Sequence, residues 1–417
     1  MYIAHMLATP ELIRETSQLA RLEELLPRWR NVPLYRHSLA RAPFDFNCLP
    51  LIAKREMRTD FPRNFLPENQ SLETLLEKNV VELEHTSGTS EERLPVIFAR
   101  GWWDAQEAQA LRLNDQIWKM VEANPQFRRA TITSPACNGL TCPTVWMSRE
   151  QRTIGNALFV NLARIPFLLS DSDLAHMAAE ISDWSPLFLD IDPVHGMRFA
   201  LYCEQHGLKF PSLKFILSSY EFTSVVHRKI LARVFGVPVF NLYGSTETGH
   251  LLMENTDGAM KPVYETAFLE IVDPDTHGIG ALVVTTLTND FMPLLRYRIG
   301  DLAQKITSAY GTHYVIHGRA RDALTAHDGR IVTTWQVDQC LAEINGLAHY
   351  ELRQEENGAC TLRFVPDTNP PAESDLQNVT SRLESLLGFA VKTEAMKVLV
   401  PAASGKFRLT ARLVHHT

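Results

Sequence analysis

Between Ala130 and Tyr243 the chain alternates short apolar or β-branched runs with longer segments whose apolar residues recur at helical spacing. Residues 130–134, 166–170, 187–191, 213–219 and 238–243 read as strands, and 151–163, 173–182, 194–206 and 223–235 as helices. Each helix is long enough to carry the chain back across a sheet, so the alternation implies βαβ units and a mainly parallel sheet. After Leu251 the texture changes to strand-like segments at 268–272, 281–286 and 313–317, separated by Asp273-Pro-Asp and His277-Gly-Ile-Gly turns. Beyond Arg321 the pattern predicts a helix at 334–344, strands at 348–354 and 360–365, a helix at 372–387 and a strand at 397–400. The expected fold is therefore α/β: a large N-terminal domain, residues 1–320, with mainly parallel sheets and an antiparallel β subdomain, followed by a small mobile C-terminal α+β domain, residues 321–417. No internal repeat or low-complexity tract interrupts it, and 367–371, with its Asn-Pro-Pro, reads as a loop.

A length of 417 residues agrees with one large domain plus one small one. The balance of 41 Lys+Arg against 48 Asp+Glu argues against a nucleic-acid partner, because polyanion binding rests on clustered cations. The N-terminal stretch has the mixed polarity of an amphipathic helix rather than a basic segment followed by an apolar run, so no signal peptide is read there. No run approaches the roughly 18 apolar residues of a membrane span, and a cytoplasmic location is expected. The closest two of the six cysteines, Cys137 and Cys142, have no second metal-like pair nearby and read as reduced thiols.

Five short segments carry chemistry. In His85-Thr-Ser-Gly-Thr-Ser90, small hydroxylated residues around a glycine let backbone N–H groups and hydroxyls converge on phosphate oxygens; the same residues also make an ordinary hairpin loop. Asn241-Leu-Tyr-Gly-Ser-Thr-Glu247 sits at the carboxyl end of a predicted strand, where open α/β sheets bind ligands. Tyr243 can stack on a purine, Gly244 permits close backbone approach, and Glu247 offers a hard oxygen ligand for magnesium. The alternative there is a strand end followed by a helix capped at Ser245 or Thr246. In Arg296-Tyr-Arg-Ile-Gly-Asp301, Asp301 can accept both hydroxyls of a ribose, and in Gly318-Arg-Ala-Arg-Asp322, Arg319 can pair with phosphate or ribose oxygens; surface ion pairs are the other reading. Ser404-Gly-Lys-Phe-Arg408 places Lys406 on a glycine loop, suited either to neutralising charge on a transferring group or to solvent.

In that order the five segments resemble the acyl-adenylate-forming superfamily of acyl-CoA synthetases, luciferases and peptide-synthetase adenylation domains. The stretch from Leu49 to Pro62, and the segment ending at Asp301, are more narrowly similar to phenylacetate-CoA ligases. The resemblance runs from about Leu49 to Arg408. It implies that Ser87, Gly88, Thr89 and Ser90 sit on the ATP phosphates and that Tyr243 covers the adenine, within a nucleotide-binding strand end that includes Gly244, Ser245 and Thr246. Glu247 would hold Mg2+, Asp301 the ribose, Arg319 the nucleotide from the hinge, and Lys406 the reacting group. Ser219, Tyr220 and Glu221 occupy the place of the adenine pocket, and Ala136–Leu140 that of the acid pocket. The implied activity is ATP-dependent activation of a small, aryl-type carboxylic acid to an acyl-adenylate, then transfer to the thiol of coenzyme A. Loading of a carrier-protein phosphopantetheine is the near alternative.

Three departures qualify the match. The phosphate loop, usually Ser-Gly-Thr-Thr-Gly-Lys-Pro, continues here as Ser90-Glu-Glu-Arg-Leu-Pro95, with Arg93 as the candidate replacement for the lysine. This loop is the sequence evidence for a third reading, a nucleotide-binding protein that has lost catalysis. Arg321 stands where an aspartate is common at the hinge, and Glu254 and Lys261 occupy the stretch where some relatives bind zinc, so no structural zinc is expected.

Overall fold

The computed structural model describes residues 10–40, 46, 49–86, 93–124, 126–134, 147–160, 163–308, 311–402 and 404–413. The chain divides into two compact units, one built from Met1–Thr86, Glu92–Asp115 and Tyr243–Val315, the other from Ser87–Glu91, Gln116–Leu242 and Ile316–Thr417. Among the described residues no helix is long and apolar enough to cross a membrane.

In the second unit the strands Arg129–Ile132, Phe188–Ile191, Phe215–Ser218 and the first half of Val239–Ser245 pair in parallel. Phe188–Ile191 and Phe215–Ser218 are buried at every position, as expected of strands covered by helices on both faces. Helices Asp171–Trp184, Pro193–Gln205 and Val225–Phe235 make the crossovers. Ser170, Asp192 and Ser224 cap them, each accepting a backbone N–H of the first turn. Asp192 follows the strand Phe188–Ile191 directly, so a polar side chain at the strand's carboxyl end also starts the next helix.

Three expected elements differ. Where a helix over 151–163 was expected, residues 153–159 form a hairpin: Thr153–Ile154 and Ala157–Phe159 pair in antiparallel register about Gly155-Asn156, with Gly155 at φ 58°. The left-handed glycine makes a two-residue turn, which outweighs the apolar spacing around it. Residues 166–170 form the 3-10 turn Pro166–Leu168, because Pro166 starts a helical turn and Ser170 is committed to capping the helix that follows. Residues 397–400 are not a strand; the C-terminal sheet takes Val391–Ala395 as its edge, while Leu399 is buried in the α/β core.

That C-terminal sheet has the order Val391–Ala395, Cys360–Pro366, Leu347–Gln354, Thr410–Arg412, with its central pair antiparallel and both outer pairings parallel. Helices Thr334–Cys340 and Glu373–Leu387 complete this α+β part. It packs on the helix Val225–Phe235 through a cluster that joins Val226 to Leu324, Leu347, Leu352 and Leu409. Asp338, 1% exposed, accepts hydrogen bonds from the Ser224 hydroxyl, the Val225 N–H at 3.0 Å and the Tyr350 hydroxyl at 2.8 Å.

The first unit carries the strands Ala267–Val272, Ile279–Thr286, Tyr297–Ser308, Met260–Pro262 and Gly249–Glu254, with antiparallel pairing in the first three. The amphipathic N-terminal segment is the helix Pro10–Trp29, whose Leu22, Leu25, Leu26 and Trp29 form one buried stripe. Gln18 anchors it by donating to the Tyr264 and Ala267 carbonyls at 2.7 and 2.8 Å.

The hairpin of the second unit is fastened by a buried ion pair. Arg152 donates to both oxygens of Glu180 and, at 2.6 Å, to the Phe159 carbonyl. Removing one partner strands a charge away from water, so Arg152→Ala is expected to cost about 3 kcal/mol in urea unfolding. The double replacement Arg152→Leu with Glu180→Leu should recover most of that loss.

Candidate active site

Period-two alternation sets the geometry of the first unit's site. Along Tyr297–Ser308, residues 297, 299 and 301 are buried while 298 and 300 are exposed, so Tyr297 and Asp301 lie on one face. Both meet the Tyr-Gly-Ser-Thr-Glu segment. The Tyr297 hydroxyl donates to Glu247 Oε1 at 2.7 Å, and the Tyr243 hydroxyl donates to Asp301 Oδ2 at 2.6 Å.

The segment itself is a hairpin turn between Val239–Ser245 and Gly249–Glu254, not the start of a helix. The Thr248 N–H bonds the Ser245 carbonyl at 3.2 Å, and the Ser245 and Thr248 hydroxyls meet at 2.9 Å. Gly244 does permit a close backbone approach, but the approaching group is protein: a Cβ there would lie 2.1 Å from the Gly249 carbonyl oxygen. Thr246 is partly buried within the turn.

Glu247 is 3% exposed. Burial raises its carboxyl, but the Lys54 ammonium, the Tyr297 hydroxyl and the Ser245 side chain together hold it below the ordinary carboxylate range. Lys54 Nζ lies 3.9 Å from Oε1. The route by which Lys54 arrives is a backbone bridge: Ile52 pairs with Tyr297, its N–H bonding the Arg296 carbonyl at 3.1 Å and its carbonyl accepting the Arg298 N–H at 2.8 Å. Neither Lys54 nor Tyr297 carried a role in the sequence reading, although both lie in segments it singled out. Arg296 serves the same bridge, donating to the Leu49 carbonyl at 2.8 Å and pairing with Glu270 at 3.0 Å. Arg298 is exposed, paired with Asp273 at 3.4 Å.

The anionic Glu247 has the right chemistry for a hard cation. Among the described residues no group of three or more His, Cys, Asp or Glu could hold a metal ion. One carboxylate suffices for magnesium, which keeps several waters and takes its remaining ligands from phosphates.

The second unit holds the other candidates. Ser219, Tyr220 and Glu221 follow the strand Phe215–Ser218 as a tight turn. The Ser219 and Tyr220 hydroxyls donate to the two oxygens of Asp190 at 2.9 and 2.8 Å. Lys406 Nζ donates to the Tyr220 carbonyl at 2.8 Å, and the Phe407 N–H reaches the two Glu221 oxygens at 3.1 and 3.2 Å. Gly405, at φ 85°, lies where a Cβ would come 3.4 Å from the Ser134 hydroxyl. Arg319, partly buried, ends the strand Gly311–Arg319 and begins the turn Ala320–Asp322. There Asp322 lies 4.0 Å from Arg321 and 3.4 Å from Arg408, tying the end of the glycine loop to the predicted hinge. Asp190 and Asp192 had no sequence signal beyond their position at a strand end.

Glu247 and Asp301 thus belong to one cluster, and Ser219, Tyr220, Glu221 and Lys406 to another. Ser87, Gly88, Thr89 and Ser90, residues 136–140, and Cys137 and Cys142 lie outside the described residues. Cys203, Cys340 and Cys360 are free thiols.

The Glu247 arrangement has a pH signature. Its folded carboxyl lies below the unfolded value, so its contribution to stability is present above the unfolded value and lost as pH falls through the folded one. Lys54→Met removes the largest lowering influence and leaves burial dominant. The difference in unfolding free energy between parent and variant should therefore be larger at pH 7 than at pH 4, read from urea titrations at both values; an equal difference would place Lys54 outside the Glu247 field.

No protein-family model matches the chain. Its sequence is similar to the phenylacetate-coenzyme A ligase of Pseudomonas putida, 25% identical over 376 residues that cover 82% of this chain and 78% of that protein. The phenylacetate-coenzyme A ligase of Thermus thermophilus is 30% identical over 200 residues, 43% of this chain and 44% of that protein. In structure, a 2-hydroxyisobutyryl-CoA ligase in the postadenylation state with 2-HIB-AMP aligns at a TM-score of 0.68 and 17% identity, over 93% of this chain and 87% of that one. An anthranilate CoA ligase in complex with anthranoyl-AMP aligns at 0.57 and 14% identity, over 96% and 80%. The chain has the fold of the adenylate-forming CoA ligases, and its sequence resembles the phenylacetate-coenzyme A ligases.

Proposed function

We propose that this chain is an AMP-forming acid–thiol ligase, which activates a small carboxylic acid with ATP and transfers the acyl group to coenzyme A. The observation that carries the reading is Lys406, whose ammonium is brought across 186 residues of sequence separation onto the turn that follows a parallel strand. Open α/β sheets bind their ligands at such strand ends. The sequence similarity to phenylacetate-coenzyme A ligases supports the same reading and favours an aryl or similarly compact acid over a long-chain one.

In the first step an oxygen of the substrate carboxylate bonds to the α-phosphorus of ATP, the bond from that phosphorus to the bridging oxygen breaks, and pyrophosphate leaves with the electron pair. Lys406, released from the Tyr220 carbonyl, neutralises charge gathering on the phosphoryl oxygens. Asp301 accepts the ribose hydroxyls, Tyr243 lies along the adenine, and Arg319 pairs with the nucleotide. Glu247 would hold magnesium, which offsets phosphate charge when bound. In the second step the thiol sulfur bonds to the acyl carbon, the carbon–oxygen bond to AMP breaks, and the thiol proton passes to solvent. The segment 321–417 is assigned as the lid that carries Lys406 into the first step and out of the second.

Pyrophosphate release from ATP across a panel of aryl and short aliphatic acids, with coenzyme A added or withheld, tests this reading. Bound ATP without pyrophosphate release for any acid would favour the catalytically silent alternative, and thioester formation only on a carrier protein would replace coenzyme A as acceptor.

Two substitutions test the roles. Lys406→Ala should slow pyrophosphate release on the order of a hundredfold, the scale of a lost charge-stabilising group. The variant should still make thioester from synthetic acyl-adenylate and coenzyme A; equal loss in both assays would argue against a step-specific lysine. Asp301→Ala should raise the KM for ATP roughly tenfold through loss of a charged acceptor. Tyr243→Phe, which leaves that carboxylate in place, separates the ribose role from the Tyr243 contact.

A further inference from the structure

The turn Ser219–Glu221 is held in a conformation that L-residues seldom adopt. Tyr220 sits at φ 69°, and the Glu221 N–H bonds the Ser219 carbonyl at 2.8 Å, closing a three-residue turn of the strained kind. Such strain persists where the surroundings over-determine it. Here Asp190, 6% exposed, takes both the Ser219 and Tyr220 hydroxyls, so the turn is pinned from the end of the strand Phe188–Ile191.

The pinned turn offers two acceptors to the C-terminal loop. One is the Tyr220 carbonyl, which takes Lys406; the other is the Glu221 carboxyl, which takes the next backbone N–H, that of Phe407. A lysine side chain alone is long and rotamer-rich, so a bond to its ammonium does not define where its backbone lies. A bond to the adjoining N–H does. The Phe407 ring adds a second restraint, lying edge-on to Phe167 at 5.9 Å and to His349 at 5.1 Å.

We propose that Glu221 is a positioning residue for Lys406: by fastening the Phe407 N–H it sets the register of the 404–408 loop and, with it, the place of the lysine ammonium. This rests on the adenylation reading for its consequence in catalysis. It replaces an adenine contact, the place implied by the resemblance, with a contact to the protein's own catalytic loop. The charged groups facing Glu221 are Asp192 at the start of the helix Pro193–Gln205 and Lys406 on the loop, while Asp190 meets the same turn through Ser219 and Tyr220. Burial pushes the Glu221 carboxyl well above the usual range and the Asp192 charge pushes it further, against the smaller pull of Lys406 and the Phe407 N–H. Both influences favour the neutral form of Glu221, which faces Asp192, itself an acceptor of the Val194 and His195 N–H groups at 2.9 and 3.2 Å. A protonated carboxyl with one donor toward Asp192 and one acceptor for Phe407 has the hydrogen-bonding pattern of an amide.

The test compares parent, Glu221→Ala and Glu221→Gln by amide hydrogen exchange at Phe407 and by the rate at which acetic anhydride acetylates Lys406. Amides of the strand Leu347–Gln354 report global folding; if alanine loosens those, Glu221→Met takes its place. Phe407 and Lys406 should be protected in the parent and in the glutamine variant and react about tenfold faster in the alanine variant, as loss of one buried hydrogen bond implies. Pyrophosphate release should fall further in the alanine variant than in the glutamine variant, in kcat rather than in the KM for ATP. Equal exchange and acetylation in parent and alanine variant would overturn the proposal, as would a glutamine variant that behaves like alanine. If the parent releases no pyrophosphate with any acid, the adenylation reading falls, while exchange and acetylation still decide whether Glu221 holds the loop.

Discussion

A carboxylate almost wholly removed from water stays ionised only if the protein supplies what water no longer does. Glu247 sets that requirement, and much of the first unit's architecture answers it. The bridge between Ile52 and Tyr297 delivers Lys54 from one side of the sequence and the Tyr297 hydroxyl from the other. The tight hairpin, with Gly244 packed against the Gly249 carbonyl, fixes the chain direction that points Glu247 at both. Asp301 then follows from the pleat, since it shares a face with Tyr297 and finds Tyr243 on the same hairpin. A negative charge held in this way is suited to a divalent cation, because the site has already met the cost of removing that charge from water.

The second unit treats a buried carboxyl in the opposite manner. Burial and the neighbouring acid Asp192 both push the Glu221 carboxyl toward its neutral form, against a smaller pull from Lys406. One glutamate is thus drawn toward its charged form by a cation and a phenol, the other toward its neutral form by burial and a neighbouring anion. The difference suits the roles proposed for them: a metal ligand needs charge, whereas a group that fixes the register of a lysine loop would compete with phosphate for that lysine if it were ionised.

The elements most legible from sequence were those whose local signals agreed. In Asp171–Trp184, Pro193–Gln205 and Val225–Phe235, helical spacing, a polar cap and a following break all pointed the same way, and the helices lie within a residue or two of their expected ends. The failures came where two signals conflicted. Around Gly155 helical spacing competed with a glycine turn, and at Pro166 an apolar run competed with a proline start and a serine cap; in each case the backbone-restricting residue decided the outcome. Residues 397–400 were apolar enough for a strand, but Leu399 is spent on the core of the α/β part rather than on a sheet edge.

By itself the sequence determined the α/β order, the antiparallel strands after the Tyr-Gly-Ser-Thr-Glu segment, the α+β C-terminal part and the short motifs that carry chemistry, because each of these is written in spacings of a few residues. Only the tertiary structure decided which side chains those motifs meet. Lys54 is separated from Glu247 by a stretch of chain that includes all of 116–242, and Lys406 from Tyr220 by 186 residues. Neither pairing leaves a local trace. Whether a buried carboxyl is charged or neutral depends on the partners that packing brings within a few ångströms, and no periodicity along the chain encodes that distance.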